Sequence, residues 1–209
     1  MTDPVEQPHR PGPIGGDMAA IVFGLARRAR LTSLLKRHDS TVVLAAFAFV
    51  NGLIAIGVMS LIAFVTGEPF IFPSLGPTAF LLFYTPLLAA ACPRNTLGGH
   101  AIGAAAGYLS LVVFGLTNAA PALATSVTGA RVGAAGLSLG LTSGLMVLAR
   151  VPHPPAGATT LIVSLGIFHE PRQLVILMVA VVLLVVQGFV INRLAGIDYP
   201  VWSPRPASA

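Results

Sequence analysis

The chain has 209 residues, 55% of them hydrophobic and only 9% charged, with a formal net charge of +5. An average globular protein carries roughly 25% charged residues, and a mean hydropathy of +0.85 leaves too little polar surface to face water. These figures exclude a cytosolic enzyme, a nucleic-acid binder and a disordered chain, and point to a membrane protein.

In chain order, positions 1–40 divide into a Pro- and Gly-rich tail (1–17) and a basic stretch. The stretch from Met18 to Leu31 reads either as a short interfacial helix on anionic lipid or as a linker that fixes topology. Arg10, Arg27, Arg28, Arg30, Lys36 and Arg37 all precede the first long apolar run. That bias places the N-terminus in the cytoplasm and the protein in the cell (inner) membrane. Nothing here resembles a cleavable signal peptide.

The membrane part spans 41–193, followed by a tail at 194–209. Thr41 to Thr66 is free of charge and long enough to cross a hydrocarbon core of about 30 Å. Phe70 to Ala91 is also uncharged but carries Pro73, Pro77 and Pro86. Thr96 to Thr117 contains only His100, Val132 to Ala149 stops at Arg150, and Gln173 to Asn192 stops at Arg193. Between the last two, Ala156 to Phe168 would be about 20 Å as a helix, too short to cross alone. The fold expected is therefore all-α: four long transmembrane helices and two shorter segments, half-helices or broken helices, marked by Pro and Gly.

Those two segments share a pattern. Pro73-Ser74-Leu75-Gly76-Pro77-Thr78 and Pro154-Pro155-Ala156-Gly157-Ala158-Thr159 both fit P-x-x-G-x-T, and a Pro-Arg pair follows each, Pro93-Arg94 and Pro171-Arg172. The order of elements suggests a duplication with units at about 41–117 and 130–193. Three crossings per unit make the halves an inverted repeat, an arrangement used by transporters. Six crossings put Arg94, Arg150, Arg193 and Arg205 inside and Glu68 and Glu170 outside, with Arg172 the exception to the basic bias. A four-span arrangement with re-entrant short segments also puts both termini inside but moves Arg94 outside.

P-x-x-G-x-T suits a helix start within the membrane. Proline costs little in a first turn and forces its predecessor into an extended conformation, so the chain enters uncoiled. Free N–H groups and the positive end of a helix dipole then make an anion site. Two facing starts would supply Ser74, Gly76 and Thr78 from one side, and His153, Gly157, Thr159 and Thr160 from the other, with no fixed charge to hold the anion too tightly. The plainer account is two kinked helices packed by glycine. His100 and His153 are candidates to donate to an anion or relay a proton. Arg94 and Arg172 stand where they would attract an anion to the mouths of a pathway, or simply anchor the interface. Gly99, Gly103 and Gly107, and Gly136, Gly140 and Gly144, each line one helix face, as packing seams within the chain or between copies in a homo-oligomer. With five scattered histidines and the single Cys92, no metal-ligand cluster forms, and no cofactor motif appears.

The run Val151-Pro152-His153-Pro154-Pro155-Ala156-Gly157-Ala158-Thr159-Thr160-Leu161 resembles the signature of the HPP family of integral membrane proteins. The upstream stretches Phe72 to Ala79 and Pro93 to Tyr108 are similar to its other characteristic blocks, so the likeness covers roughly Thr41 to Arg193. Family members are usually described with four transmembrane helices, and plant chloroplast members are linked to nitrite transport. The resemblance implies a transporter-like protein whose partners are the lipid bilayer and a small anion, nitrite or similar. An intramembrane enzyme built on His100 and His153 lacks carboxylates in the spans, and a structural or regulatory membrane protein would move nothing.

Overall fold

The computed structural model describes residues 31–204. The tail and the basic stretch up to Arg30, with the final residues from Arg205, lie outside them. Six helices carry the architecture: α1 (Ser40–Thr66), α2 (Leu75–Tyr84), α3 (Pro93–Val113), α4 (Gly129–Leu148), α5 (Ala156–Ser164) and α6 (Pro171–Leu194). No strand occurs among the described residues. α1, α3, α4 and α6 are long and apolar enough to cross a membrane. With 10 and 9 residues, α2 and α5 reach only about 15 Å, half of a hydrocarbon core.

Local chemistry sets the helix boundaries. Asp39 caps α1, its carboxylate accepting from the Thr41 and Val42 N–H groups at 2.9 and 3.1 Å, and Gly67 ends it in the left-handed region at φ +69°. Pro93 opens α3 where a missing N–H costs nothing. Thr128 caps α4, and Glu170 with Gln173 forms a capping box ahead of α6.

The uncharged run from Phe70 to Ala91, read above as one span, is helical only over Leu75–Tyr84. Pro73 and Pro86 delimit that helix; the chain enters it extended and leaves it through a 3-10 turn at Ala89–Ala91. The second short segment behaves alike: Ala156 to Phe168 coils only to Ser164.

Contacts between connecting segments reveal how the chain runs. At one end of the bundle, Asn192 of α6 donates to the Leu82 carbonyl of α2. Tyr199 reaches the Ala91 carbonyl there, and Arg94 reaches that of Ala149. At the other end Arg172 pairs with Glu68, Phe72 packs edge-on against Phe168 at 5.7 Å, and Arg131 binds the Ser164 carbonyl. The chain therefore passes six times between the two ends. The second and fifth passes each consist of an extended stretch followed by a short helix.

α3 is the hub, packed on α4, α5 and α6. The pairs α1–α2, α2–α6 and α1–α6 are matched by α4–α5, α3–α5 and α3–α4, so exchanging the first three helices for the last three preserves the pairing. The core, which includes Met59, Leu75, Leu82, Phe83, Leu111, Val163, Leu177 and Leu184, lies between these helices. α1 turns its apolar side chains outward, Phe64 being 86% exposed, as a helix facing hydrocarbon does.

Candidate functional site

Both short helices begin just after a proline. Pro73 precedes the N-cap Ser74 of α2, and Pro155 is itself the N-cap of α5. The first-turn N–H groups of α5 are all bonded, and so is that of Leu75 in α2, where the sequence expectation had them free. Leu75 N–H donates to the Phe72 carbonyl at 3.1 Å. Ala156, Gly157 and Ala158 donate to the carbonyls of His153, Pro154 and Pro155 at 3.0 to 3.1 Å. The prolines wind the entering chain into tight turns that consume these N–H groups. What the buried cluster offers comes from side chains.

Those side chains form one buried cluster. Ser74 of α2, Thr159 of α5 and His100 of α3, joined by Thr78 and His153, are all fully shielded from solvent. The Ser74 and Thr159 hydroxyl oxygens lie 2.7 Å apart, and Thr159 Oγ1 is 2.7 Å from His100 Nδ1. His100 Nε2 is 3.2 Å from His153 Nε2 and 3.0 Å from Thr78 Oγ1. Thr78 Oγ1 is also 3.3 Å from His153 Nε2 and donates to the Ser74 carbonyl at 2.8 Å. His153 Nδ1 lies 2.7 Å from the Ala90 carbonyl.

These contacts accommodate one continuous proton arrangement in the neutral cluster, with the Thr78 hydroxyl, 3.0 Å from His100 Nε2 and 3.3 Å from His153 Nε2, as the alternative donor to either ring nitrogen. A carbonyl only accepts, so His153 carries its hydrogen on Nδ1 and presents a bare Nε2. In that arrangement His100 Nε2 directs its hydrogen at that lone pair, and His100 Nδ1 accepts from Thr159. Thr159 has then given its only hydrogen, and Ser74 must donate to it. The chain runs in one direction: Ser74 to Thr159 to His100 to His153 to the Ala90 carbonyl. Every hydroxyl and imidazole hydrogen in it is used.

The neighbouring elements hold this arrangement. His100 sits seven residues past Pro93, about 10 Å along α3. Gly99, Gly103 and Gly107 line the same helix face and let α5 pack against the backbone. A Cβ at these positions would meet His153 Cβ at 2.6 Å, the Ala156 carbonyl oxygen at 2.7 Å and Val163 Cβ at 2.7 Å respectively. The turn that supplies the Ala90 carbonyl is pinned on both sides: Asn95 donates to Ala89 at 2.9 Å, and Tyr199 to Ala91 at 2.6 Å. Burial pushes the Tyr199 phenol above its ordinary value, which keeps it a donor.

The remaining residues singled out from the sequence lie elsewhere. Gly76 is on the exposed side of α2, away from the cluster. Gly157 faces Leu139 of α4. Thr160 is buried on α5 with its hydroxyl unbonded, while its carbonyl abuts Gly107. Arg94 and Arg172 occupy opposite ends of the bundle, bonded to the Ala149 carbonyl and paired with Glu68. Gly136, Gly140 and Gly144 touch nothing in the chain and floor an open groove on α4, so within one chain they seal no seam.

Two features escaped sequence reading. The Ala90 carbonyl has no signature in a run of alanines. Arg131 lies just ahead of the uncharged run from Val132, yet α4 starts at Gly129 and buries it: its guanidinium donates to the carbonyls of Ser164, Ala119 and Ala120 at 3.0, 3.2 and 2.8 Å. An arginine adjoining an apolar span is the one signal that would have flagged it. It caps the last carbonyl of α5, that of Ser164, and ties it to the loop at Ala119 and Ala120, so fixing that short helix from its far end. Among the described residues no three or more His, Cys, Asp or Glu side chains gather as a metal site would require.

A family model described as HPP, transmembrane region, matches residues 37–200. No curated protein and no solved structure matches the chain.

Proposed function

The chain belongs to the HPP transmembrane family and is an integral membrane protein, and from that premise we propose that it is a transporter or channel for a small inorganic anion. Nitrite is the substrate we favour, because plant members of the family the sequence resembles are linked to it. The observation that carries this reading is the buried cluster itself. Two helix starts bearing the same P-x-x-G-x-T pattern meet over hydroxyls and imidazoles with no fixed charge bonded to them. Burying five polar side chains inside an apolar bundle is costly, and glycine packing alone does not require them.

In this reading α2 and α5 act as half-helices of an inverted repeat, consistent with the pairing that survives exchange of the two halves. The two bundle ends are the two membrane faces, with the basic N-terminal side in the cytoplasm of a cell whose inner membrane holds the protein. Arg94 and Arg172 flank the two mouths. The open glycine groove on α4 is where a second copy would pack in a homo-oligomer.

A second reading, a structural or regulatory membrane protein, draws on one fact: the cluster's groups satisfy each other. Uptake of nitrite into proteoliposomes separates the two. The transport reading expects flux above that of empty vesicles and its loss in the His153→Ala/Thr159→Ala double variant. Absent flux, or flux indifferent to that variant, supports the structural reading.

A further inference from the structure

In this continuous neutral arrangement no hydrogen of the cluster is left for an incoming anion. Ser74, Thr159, Thr78, His100 and His153 together hold five hydroxyl and imidazole hydrogens, and each already has an acceptor. The first-turn N–H groups of α5 are bonded as well. An anion entering this cluster alone would meet lone pairs.

One proton changes that. It goes to the bare Nε2 of His153 at the cost of the single bond between the rings, because Nδ1 stays committed to the Ala90 carbonyl at 2.7 Å. His153 then becomes an imidazolium with a hydrogen on each nitrogen. Two N–H groups, those of His100 Nε2 and His153 Nε2, now face one another across 3.2 Å, where one hydrogen had bridged. The bond between the rings is lost, and both N–H groups turn toward Thr78 Oγ1, 3.0 Å from His100 Nε2 and 3.3 Å from His153 Nε2, the acceptor that an entering anion would displace. Two converging donors and a positive charge are what a small anion requires.

We propose that the anion moves together with one proton, taken up at His153, so that protonation of the His100–His153 pair creates the site the anion occupies. The proposal rests on the transport reading above and adds its coupling. Each ion depends on the other. An imidazolium alone is buried in apolar surroundings beside the positive ends of two helices, α2 and α5, which disfavour it. An anion alone finds no donor. Together they form a neutral pair with its hydrogen bonds made. No group is oxidised or reduced, and the proton that joins His153 Nε2 leaves with the anion.

No other charge is bonded to either ring. The groups that face the pair are Thr78 from α2, Thr159 from α5 and the Ala90 carbonyl from the turn. Other titratable side chains on or beside the surrounding elements bond neither histidine: Tyr84 on α2, Cys92, Arg94 and Tyr108 at or along α3, and Arg131 and Arg150 at the ends of α4 bond neither ring. Nor do Arg172 and Arg193 on α6 or Tyr199 beyond it. Within the buried cluster, the pair is therefore where a proton alters the donors on offer.

The experiment is nitrite uptake by the full chain in proteoliposomes, with a trapped pH dye and the membrane potential clamped by potassium and valinomycin. Coupled entry of one proton with one anion is electroneutral. Accumulated nitrite should be the same at 0 and −100 mV, the lumen should acidify beyond the background of empty vesicles, and flux should rise as the outside pH falls. An anion moving alone would instead shift its accumulation by about 50-fold per 100 mV, with no added acidification. That result overturns the coupling and leaves the transport reading intact, whereas absent flux overturns both. His153→Gln, which can still donate to the Ala90 carbonyl but cannot take the proton, should lose at least tenfold in flux and lose its pH dependence. His169→Gln, outside the cluster, should keep both. A pH-dependent flux persisting in folded His153→Gln protein would contradict the proposal.

Discussion

Thr159 is the joint of the cluster: it accepts from Ser74 and donates to His100, each at 2.7 Å. Replacing it with valine keeps the shape and removes both bonds, leaving the Ser74 hydroxyl and the His100 Nδ1 buried without partners. Each such orphan costs about 1–3 kcal/mol. Thr159→Val should therefore melt at a lower temperature in detergent and lose nitrite flux, and unchanged melting would show that the bonds contribute little. Ser74→Ala removes only the donor at the start of the chain and should be the milder change. At this scale the sequence was partly legible. The repeated pattern marked Ser74, Thr78 and Thr159, and His153 stood beside a proline. The sequence offers His100 as a donor to an anion or a proton relay, but nothing in it reveals that this residue shares a hydrogen bond with His153, 53 positions later. The expected backbone donors of α5, and Leu75 of α2, are taken for a local reason: the prolines that start the helices also tighten the turns that consume these N–H groups.

α3 carries two kinds of information on one helix, the histidine of the cluster and a glycine face that lets α5 lie close enough to reach it. Adding a methyl at Gly103 would place it 2.7 Å from a backbone oxygen of Ala156, and at Gly107 2.8 Å from that of Thr160. Backbone does not yield as a flexible side chain does, so Gly103→Ala should destabilise by about 1–3 kcal/mol and should shift α5 away from His100. On α4 the same type of substitution meets open space. Gly140→Ala should leave the monomer's melting unchanged or raise it slightly, since alanine favours helix by about 1 kcal/mol. A drop in oligomer size for Gly140→Ala by light scattering would place a second copy in that groove. The two glycine ladders looked alike in the sequence because spacing reports a shared face, not what covers it.

For the whole molecule, the long spans were legible because uncharged runs of such length have few alternatives in water or lipid. The short segments were harder: a proline-marked apolar run can be a span, a re-entrant loop or, as here, an extended strand of chain followed by a short helix. The six passes make a clear test. In a Cys92→Ala background, Leu88→Cys, Val127→Cys and Val201→Cys put single thiols at exposed positions, the first and third at one end of the bundle and the second at the other. In oriented vesicles Leu88→Cys and Val201→Cys should react with an impermeant reagent from the same face, and Val127→Cys from the opposite face. A re-entrant first segment would place Leu88 opposite Val201 instead.

The central claim is that an anion passes between α2 and α5, which requires the bonded contact between Ser74 and Thr159 to open. Hydroxyl oxygens 2.7 Å apart mark positions where two sulfurs reach disulfide distance, about 2.05 Å. Ser74→Cys with Thr159→Cys, in a Cys92→Ala background, therefore gives a reversible lock. Nitrite flux in proteoliposomes should fall to that of empty vesicles on oxidation and return on reduction. Full flux through a fully oxidised pair would mean that the anion, if it crosses, does so elsewhere.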